Sequence, residues 1–116
     1  MVDVLRWDDE PIERLSDGIG RRMLNGEALT LAQITLAAGA VVPEHEHANE
    51  QIATVLSGRL RFTVGGEERE VGPGESVLIA GGVPHRVEVL ENAVVIDVFA
   101  PRREDWIRGD DAYLRG

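Results

Sequence analysis

Leu60, Phe62 and Val64 alternate with Arg59, Arg61 and Thr63, the period of two that a strand shows when one face is buried and the other is wet. The same period begins near Gly20. It covers residues 21–24 and 27–36, and Asn25-Gly26 between those runs predicts a tight hairpin. Ala38-Gly39 turns the chain into the next extended segment and Ser57-Gly58 turns it out again. Gly65-Gly66 predicts a second hairpin, Gly72-Pro73-Gly74 a further turn, and residues 76–79, 86–89 and 93–99 continue as strands. Short strands at such regular spacing predict an all-β fold, a closed sandwich or barrel.

Helical signals are confined to the ends. Asp8-Asp9-Glu10 ahead of Pro11 resembles a helix start and predicts one or two turns over residues 11–15, stopping by Asp17-Gly18. After Pro101, residues 102–107 predict a terminal helical turn, with Trp106 packed back on the barrel. No linker or low-complexity run divides the 116 residues, so one domain over residues 1–116 is expected.

Composition narrows the chemistry. A hydrophobic content of 43% with 28% charge fits a globular chain with one core. No cysteine is present, which excludes disulfides, thiolate metal sites and cysteine nucleophiles. Lysine is absent as well. All 12 basic residues are arginine, so Schiff-base lysine chemistry is excluded and guanidinium is the side-chain cation left to hold an anionic substrate. A net charge of −9 with scattered arginines argues against a nucleic-acid surface. The first residues lack a basic stretch followed by an apolar one, and no apolar run approaches the roughly 20 residues of a membrane helix. A cytoplasmic protein is expected.

The candidate site lies in the 3 histidines. In an extended segment side chains alternate faces, so His45, His47 and Gln51 share one face, and His85 follows the turn-rich stretch 72–84. Imidazole nitrogens with an amide oxygen form a mixed N/O shell that leaves positions open for water or substrate. Glu50 faces the other way in a regular strand. Such a donor set suits Zn or Ni first, with Mn or Fe as alternatives. Asp97 interrupts the otherwise apolar run 94–99. A buried carboxylate there must be neutral, hydrogen-bonded or turned to a wet cavity, where it would be a natural general base; a rim pair with an arginine such as Arg86 is the blander reading. Phe99 shares the face of Asp97, either as a platform for a sugar ring or as core. Arg103 is read on its own residues as a surface ion pair with Glu104 or Asp105.

These residues resemble the cupin family. Its first motif, a glycine, five residues, His-x-His, three or four residues, an acid, six residues and a glycine, is matched by Gly39, His45, His47, Gln51 and Gly58, with Gln51 in place of the acid. Its second, a glycine, five residues, proline, one residue, glycine, two residues and histidine, is matched by Gly74, Gly82 and His85, with Ala80 in place of the proline. The resemblance implies a double-stranded β-helix, a jelly-roll barrel with short terminal helical turns, and metal-site motifs within residues 39–85. Gln51 as a neutral oxygen ligand leaves the metal more electropositive and a stronger Lewis acid.

Within cupins, Glu50-Gln51-Ile52 and the segment 97–105 resemble the small pectin-degradation group, the KdgF type. That resemblance implies metal ligands His45, His47, Gln51 and His85, a catalytic Asp97, and Phe99 and Arg103 on a small anionic sugar, with Arg103 gripping the uronate carboxylate. It also implies conversion of cyclic 4,5-unsaturated uronates into linear 4-deoxy-5-keto uronates, and a homodimer through the N-terminal strands. The rival classes are an Fe(II)-dependent cupin dioxygenase and a non-catalytic module that binds a sugar or other small molecule.

Overall fold

A computed structural model describes residues 2–115. Its strands are β1 (Glu13–Ser16), β2 (Ile19–Asn25), β3 (Thr30–Leu36), β4 (Val41–His45), β5 (Glu50–Val64), β6 (Glu67–Val71), β7 (Ser76–Ile79) and β8 (His85–Ala100). Two short helices follow, α1 (Glu104–Ile107) and α2 (Ala112–Arg115). The strand order is β1-β2-β3-β8-β5-β6, with β4 paired to β8 and β7 paired to β5.

The long antiparallel pair β5·β8 makes this a barrel. It runs from Glu50↔Ala100 to Val64↔His85, joining β3 and β7 at one end and β4 and β6 at the other. Between Val55 and Leu60 the register slips, and this irregularity folds one continuous ladder around the core. Gly58 permits it with φ +84°; a Cβ there would lie 2.2 Å from the Asn92 carbonyl oxygen. Ser57-Gly58 is therefore a bend inside β5, and the two strands expected over 86–89 and 93–99 are one.

Alternation decides what is inside. Ala53, Val55, Leu60 and Phe62 of β5 face Val87, Val89 and Val95 of β8, and all are buried. The Gly65-Gly66 hairpin forms as expected, with both glycines at positive φ. At Asn25-Gly26 the loop is longer than expected: β3 begins only at Thr30, and the Gly26 amide donates to the Leu29 carbonyl at 2.8 Å.

The expected helix over residues 11–15 is a strand. Only Trp7–Asp9 form a 3-10 turn, whereas β1 pairs with β2 and buries Leu15 against the core. The acids and Pro11 satisfy the local start signal, but a sheet edge and an ion pair between Glu13 and Arg21 outweigh one helical turn. The C-terminal expectation holds: α1 packs Trp106 onto the barrel at 5% exposure. α2, which the sequence did not announce, follows and buries Leu114.

Candidate metal site

The site sits at one end of the barrel, where β4, β5 and β8 meet. His45 closes β4 opposite His85, the first residue of β8. His47 does not continue β4; it stands in the connection 46–49, and Gln51 is the second residue of β5. The single extended segment expected from alternation is broken at this loop, yet the three side chains still converge, and the Gly82 amide holds the loop by donating to the His47 carbonyl at 2.8 Å. The loop is tied down by Asn49, whose buried amide donates to the Pro101 carbonyl at 2.6 Å.

Each imidazole is oriented by backbone. The Nδ1 atoms of His45, His47 and His85 lie 2.8, 3.0 and 2.8 Å from the carbonyls of Pro43, Asn49 and Val83. An Nδ1–H donated to a carbonyl leaves Nε2 with its lone pair free, the tautomer a metal needs. The ligand atoms of the three lie within 4.8 Å of one another. His85 Nε2 is buried with no hydrogen-bond partner, a condition a cation would relieve. Desolvation lowers the pKa of all three, His45 to about 4, with the Arg103 charge adding to it in each case. They are therefore neutral near pH 7 and available as ligands. Three histidines in this arrangement could hold a metal ion.

Gln51 links this cluster to Asp97. Its Oε1 lies 3.1 Å from His47 Nε2, and its Nε2 donates to Asp97 Oδ1 at 3.0 Å. Asp97 is 8% exposed, and burial raises its pKa to about 6 against the opposing effects of the Gln51 bond and the Arg103 charge. A carboxyl poised there exchanges protons near neutrality. The rim pairing with Arg86 does not form, because Arg86 bonds Glu88.

Phe99 belongs to the core and also lines the cavity. It is 1% exposed and stands edge-on to His47 at 5.7 Å and to Trp106 at 5.0 Å. Arg103 does pair with Asp105, but the pair is not on the surface. Nε and Nη2 donate to Asp105 at 3.0 and 2.8 Å with the guanidinium buried, stacked 4.6 Å from the Phe99 ring and 4.1 Å from that of Trp106. Burial opposes ionisation of Asp105, and the bonds from Arg103 outweigh it, so its pKa falls. Glu104 pairs with Arg102 instead.

Tyr113 was not singled out by the sequence. Its ring stacks on His45 with centroids 4.4 Å apart, and its hydroxyl accepts from Arg103 Nη2 and Trp106 Nε1, each at 3.0 Å. Nothing local marks it, since it lies in a short helix ten residues past Arg103 and belongs to neither histidine motif. A second buried cation, Arg21, anchors this cap: it bonds Glu13 at 2.7 Å and Asp111 at 2.8 Å, and its Cζ lies 4.6 Å from the Trp106 ring.

An antiparallel β-barrel with three imidazoles gathered at one mouth defines the class, a small barrel whose histidines could hold a metal ion. Residues 32–99 match the Cupin domain model, and the chain belongs to the cupin family. Pectin degradation protein KdgF of Dickeya dadantii is 33% identical over 103 residues, 86% of this chain and 94% of that protein. The structure of KdgF from Halomonas sp. superposes with a TM-score of 0.87 at 27% identity, over 91% of this chain and 99% of that one. Oxalate decarboxylase of Bacillus subtilis, which has Mn(II) centers, is similar at a TM-score of 0.74 and 26% identity over 84% of this chain but 29% of that one. The chain is thus a small cupin similar to KdgF along most of its length.

Proposed function

We propose that this cupin acts in pectin degradation, and that it is a metal-dependent enzyme opening cyclic 4,5-unsaturated uronates to linear 4-deoxy-5-keto uronates. The observation that carries this is the Gln51 bridge, with its oxygen toward the three-histidine cluster and its N–H on a carboxyl whose pKa is raised to about 6. Ring opening of such a sugar moves one proton. The anomeric hydroxyl loses it as the bond from C1 to the ring oxygen breaks, the aldehyde forms, and the electron pair left on the ring oxygen makes an enolate across C4 and C5. Protonation at C4 then yields the ketone at C5. One carboxyl beside the sugar suffices for both transfers, first as base and then as acid.

Asp97 takes that role. Phe99 gives the ring an apolar wall, and Arg103 holds the uronate carboxylate. The KdgF likeness supports the substrate class, because pectin is a uronate polysaccharide. His45, His47, His85 and Gln51 would hold a divalent metal, whose charge orients sugar oxygens and stabilises developing negative charge. Zn and Ni fit this donor set first, with Mn and Fe as the alternatives. Among the described residues no helix is long and apolar enough to cross a membrane. A cytoplasmic homodimer without nucleic acid or membrane partners completes the proposal, and sedimentation of the purified chain tests the dimer.

The test is the decay of the conjugated C4=C5 absorbance of freshly released unsaturated uronate, with and without added metal. Metal-dependent acceleration that disappears in Asp97→Asn supports the assignment. Absence of acceleration with any of the four metals refutes it, and oxygen uptake with Fe(II) in its place would identify a dioxygenase.

A further inference from the structure

The cavity behind the histidines has a volume of about 60 Å³. Small-molecule sites begin at roughly 300 Å³. A sugar acid therefore enters only if part of the wall moves, and the wall has one part that is not barrel: Trp106 of α1 with Tyr113 and Leu114 of α2.

Hydrogen-bond geometry at Arg103 indicates what moves. A guanidinium is a planar fork with two faces that match a carboxylate. Asp105 occupies the face made by Nε and Nη2. The remaining face is made by Nη1 and the second hydrogen of Nη2. Tyr113 Oη takes that second hydrogen at 3.0 Å, and no hydrogen bond of Nη1 is formed among the described residues. The phenol oxygen thus stands where one oxygen of a bound carboxylate would stand, with its ring laid over His45.

We propose that Tyr113 is a stand-in for the substrate carboxylate and that α2 is the gate carrying it, a proposal that rests on the uronate reading of the same site. A uronate entering the site displaces the hydroxyl from Nη2, fills both positions of the free Arg103 face and uncovers the His45 ring. The exchange is favourable because a charged acceptor binds guanidinium more strongly than a neutral phenol does. The hinge lies at the start of α2, just past Asp111, and the Gly109 turn before it stays in place. Asp111, fully buried and held by Arg21 at 2.8 Å, anchors that point, and as the helix beyond it turns out Arg115 gives up its 3.0 Å bond to Glu13.

Two measurements on the zinc-loaded protein test this, with D-galacturonate, a saturated uronate that has no C4=C5 bond to react, and D-galactose as its uncharged counterpart. Tyr113→Phe keeps the ring on His45 and removes the competing oxygen. Galacturonate should bind it about 3- to 10-fold more tightly than it binds the wild type, the net scale of one intramolecular hydrogen bond, with galactose unchanged. A ring with a merely structural role would not make the two sugars differ. In the second, Trp7→Phe, with Tyr113 retained, leaves Trp106 as the sole indole. Galacturonate should change its emission, as Nε1 loses the phenol, and speed amide exchange over residues 112–115.

Equal or weaker galacturonate binding by Tyr113→Phe overturns the proposal. So does galacturonate binding that leaves Trp106 and residues 112–115 unchanged, and so does failure of both forms to bind any carboxylate. If Tyr113→Phe does not fold, the Trp106 and exchange measurements decide alone. Tight galacturonate binding with the gate responding, but no turnover of unsaturated uronate, would instead refute the proposed reaction and leave the gate standing.

Discussion

Replacing Asp97 with Asn should stabilise the metal-free protein while removing its activity. Burial raises the Asp97 pKa from the ordinary 3.8 of an aspartate to about 6. The protonated form is therefore the one the fold prefers. Its contribution is complete below pH 3.8 and is lost as pH rises through about 6. At pH 7.5 the ionised carboxyl opposes folding by roughly two pKa units, about 3 kcal/mol at 1.36 kcal/mol per unit. At pH 4.5 the same linkage leaves only about 1 kcal/mol. Asparagine is neutral at every pH and keeps an oxygen for the Gln51 amide, so it retains the stability that the carboxylate forfeits. Urea unfolding of chelated wild type and Asp97→Asn at both pH values measures the difference, which at pH 7.5 corresponds to roughly a 10 °C rise in Tm. Turnover in the same variant should fall by about 10² to 10⁴, the usual worth of a positioned acid or base. A variant that is less stable at pH 7.5, or equally stabilised at both pH values, would refute the burial argument, and retained turnover would remove Asp97 from the mechanism.

Three further outcomes follow from the geometry. His85→Ala should abolish equimolar zinc binding measured by metal analysis after dialysis, because it removes the ligand whose Nε2 is buried without a partner; a full equivalent of retained zinc would count against the site. Gln51→Glu sets a second carboxylate about where an amide now lies 3.0 Å from Asp97 Oδ1, so like charge should raise the Asp97 pKa and move the acid limb of the pH–rate profile to higher pH. An unmoved limb would mean that Asp97 does not set it. Gly58→Ala must place its Cβ 2.2 Å from the Asn92 carbonyl oxygen at φ +84°, and should lower unfolding free energy by at least about 2 kcal/mol in urea titration; a neutral result would show that the β5 bend relaxes freely.

The period of two announced most strands because each has one buried face, as β3 shows with Thr30, Ala32, Ile34 and Leu36 all inward. What the same signal did not distinguish is a glycine that ends a strand from one that bends it. Gly65-Gly66 ends β5, whereas Gly58 keeps β5 running through an irregular register, and the difference lies in the partner strand rather than in the glycine. The helix misread over residues 11–15 has a similar origin. Its start signal is local, while its fate as β1 was decided by Leu15 burial and by Arg21, residues that only the fold brings together. The convergence of His45, His47 and Gln51 is legible for a partly mistaken reason, because alternation along one strand predicts it where a loop at 46–49 intervenes. Arg103 shows the limit most clearly. Its pairing with Asp105 was readable from proximity, but its burial between two aromatic rings depends on Trp106 and Phe99 arriving from different elements.

The amide at position 51 also explains why the usual acid is dispensable there. A carboxylate at this position would offer oxygen to a cation and nothing to Asp97 except repulsion. The amide offers oxygen on the histidine side and an N–H on the Asp97 side, so one side chain would both complete the proposed donor set and steady the proposed base. That bond lowers the Asp97 pKa while burial raises it, and in the proposed reaction the balance at about 6 would let the same carboxyl accept a proton from the sugar and return it within one turnover near neutral pH. The departure from the family pattern at Gln51 and the raised pKa at Asp97 are therefore two parts of one arrangement, and a variant that alters either should be read by its effect on the other.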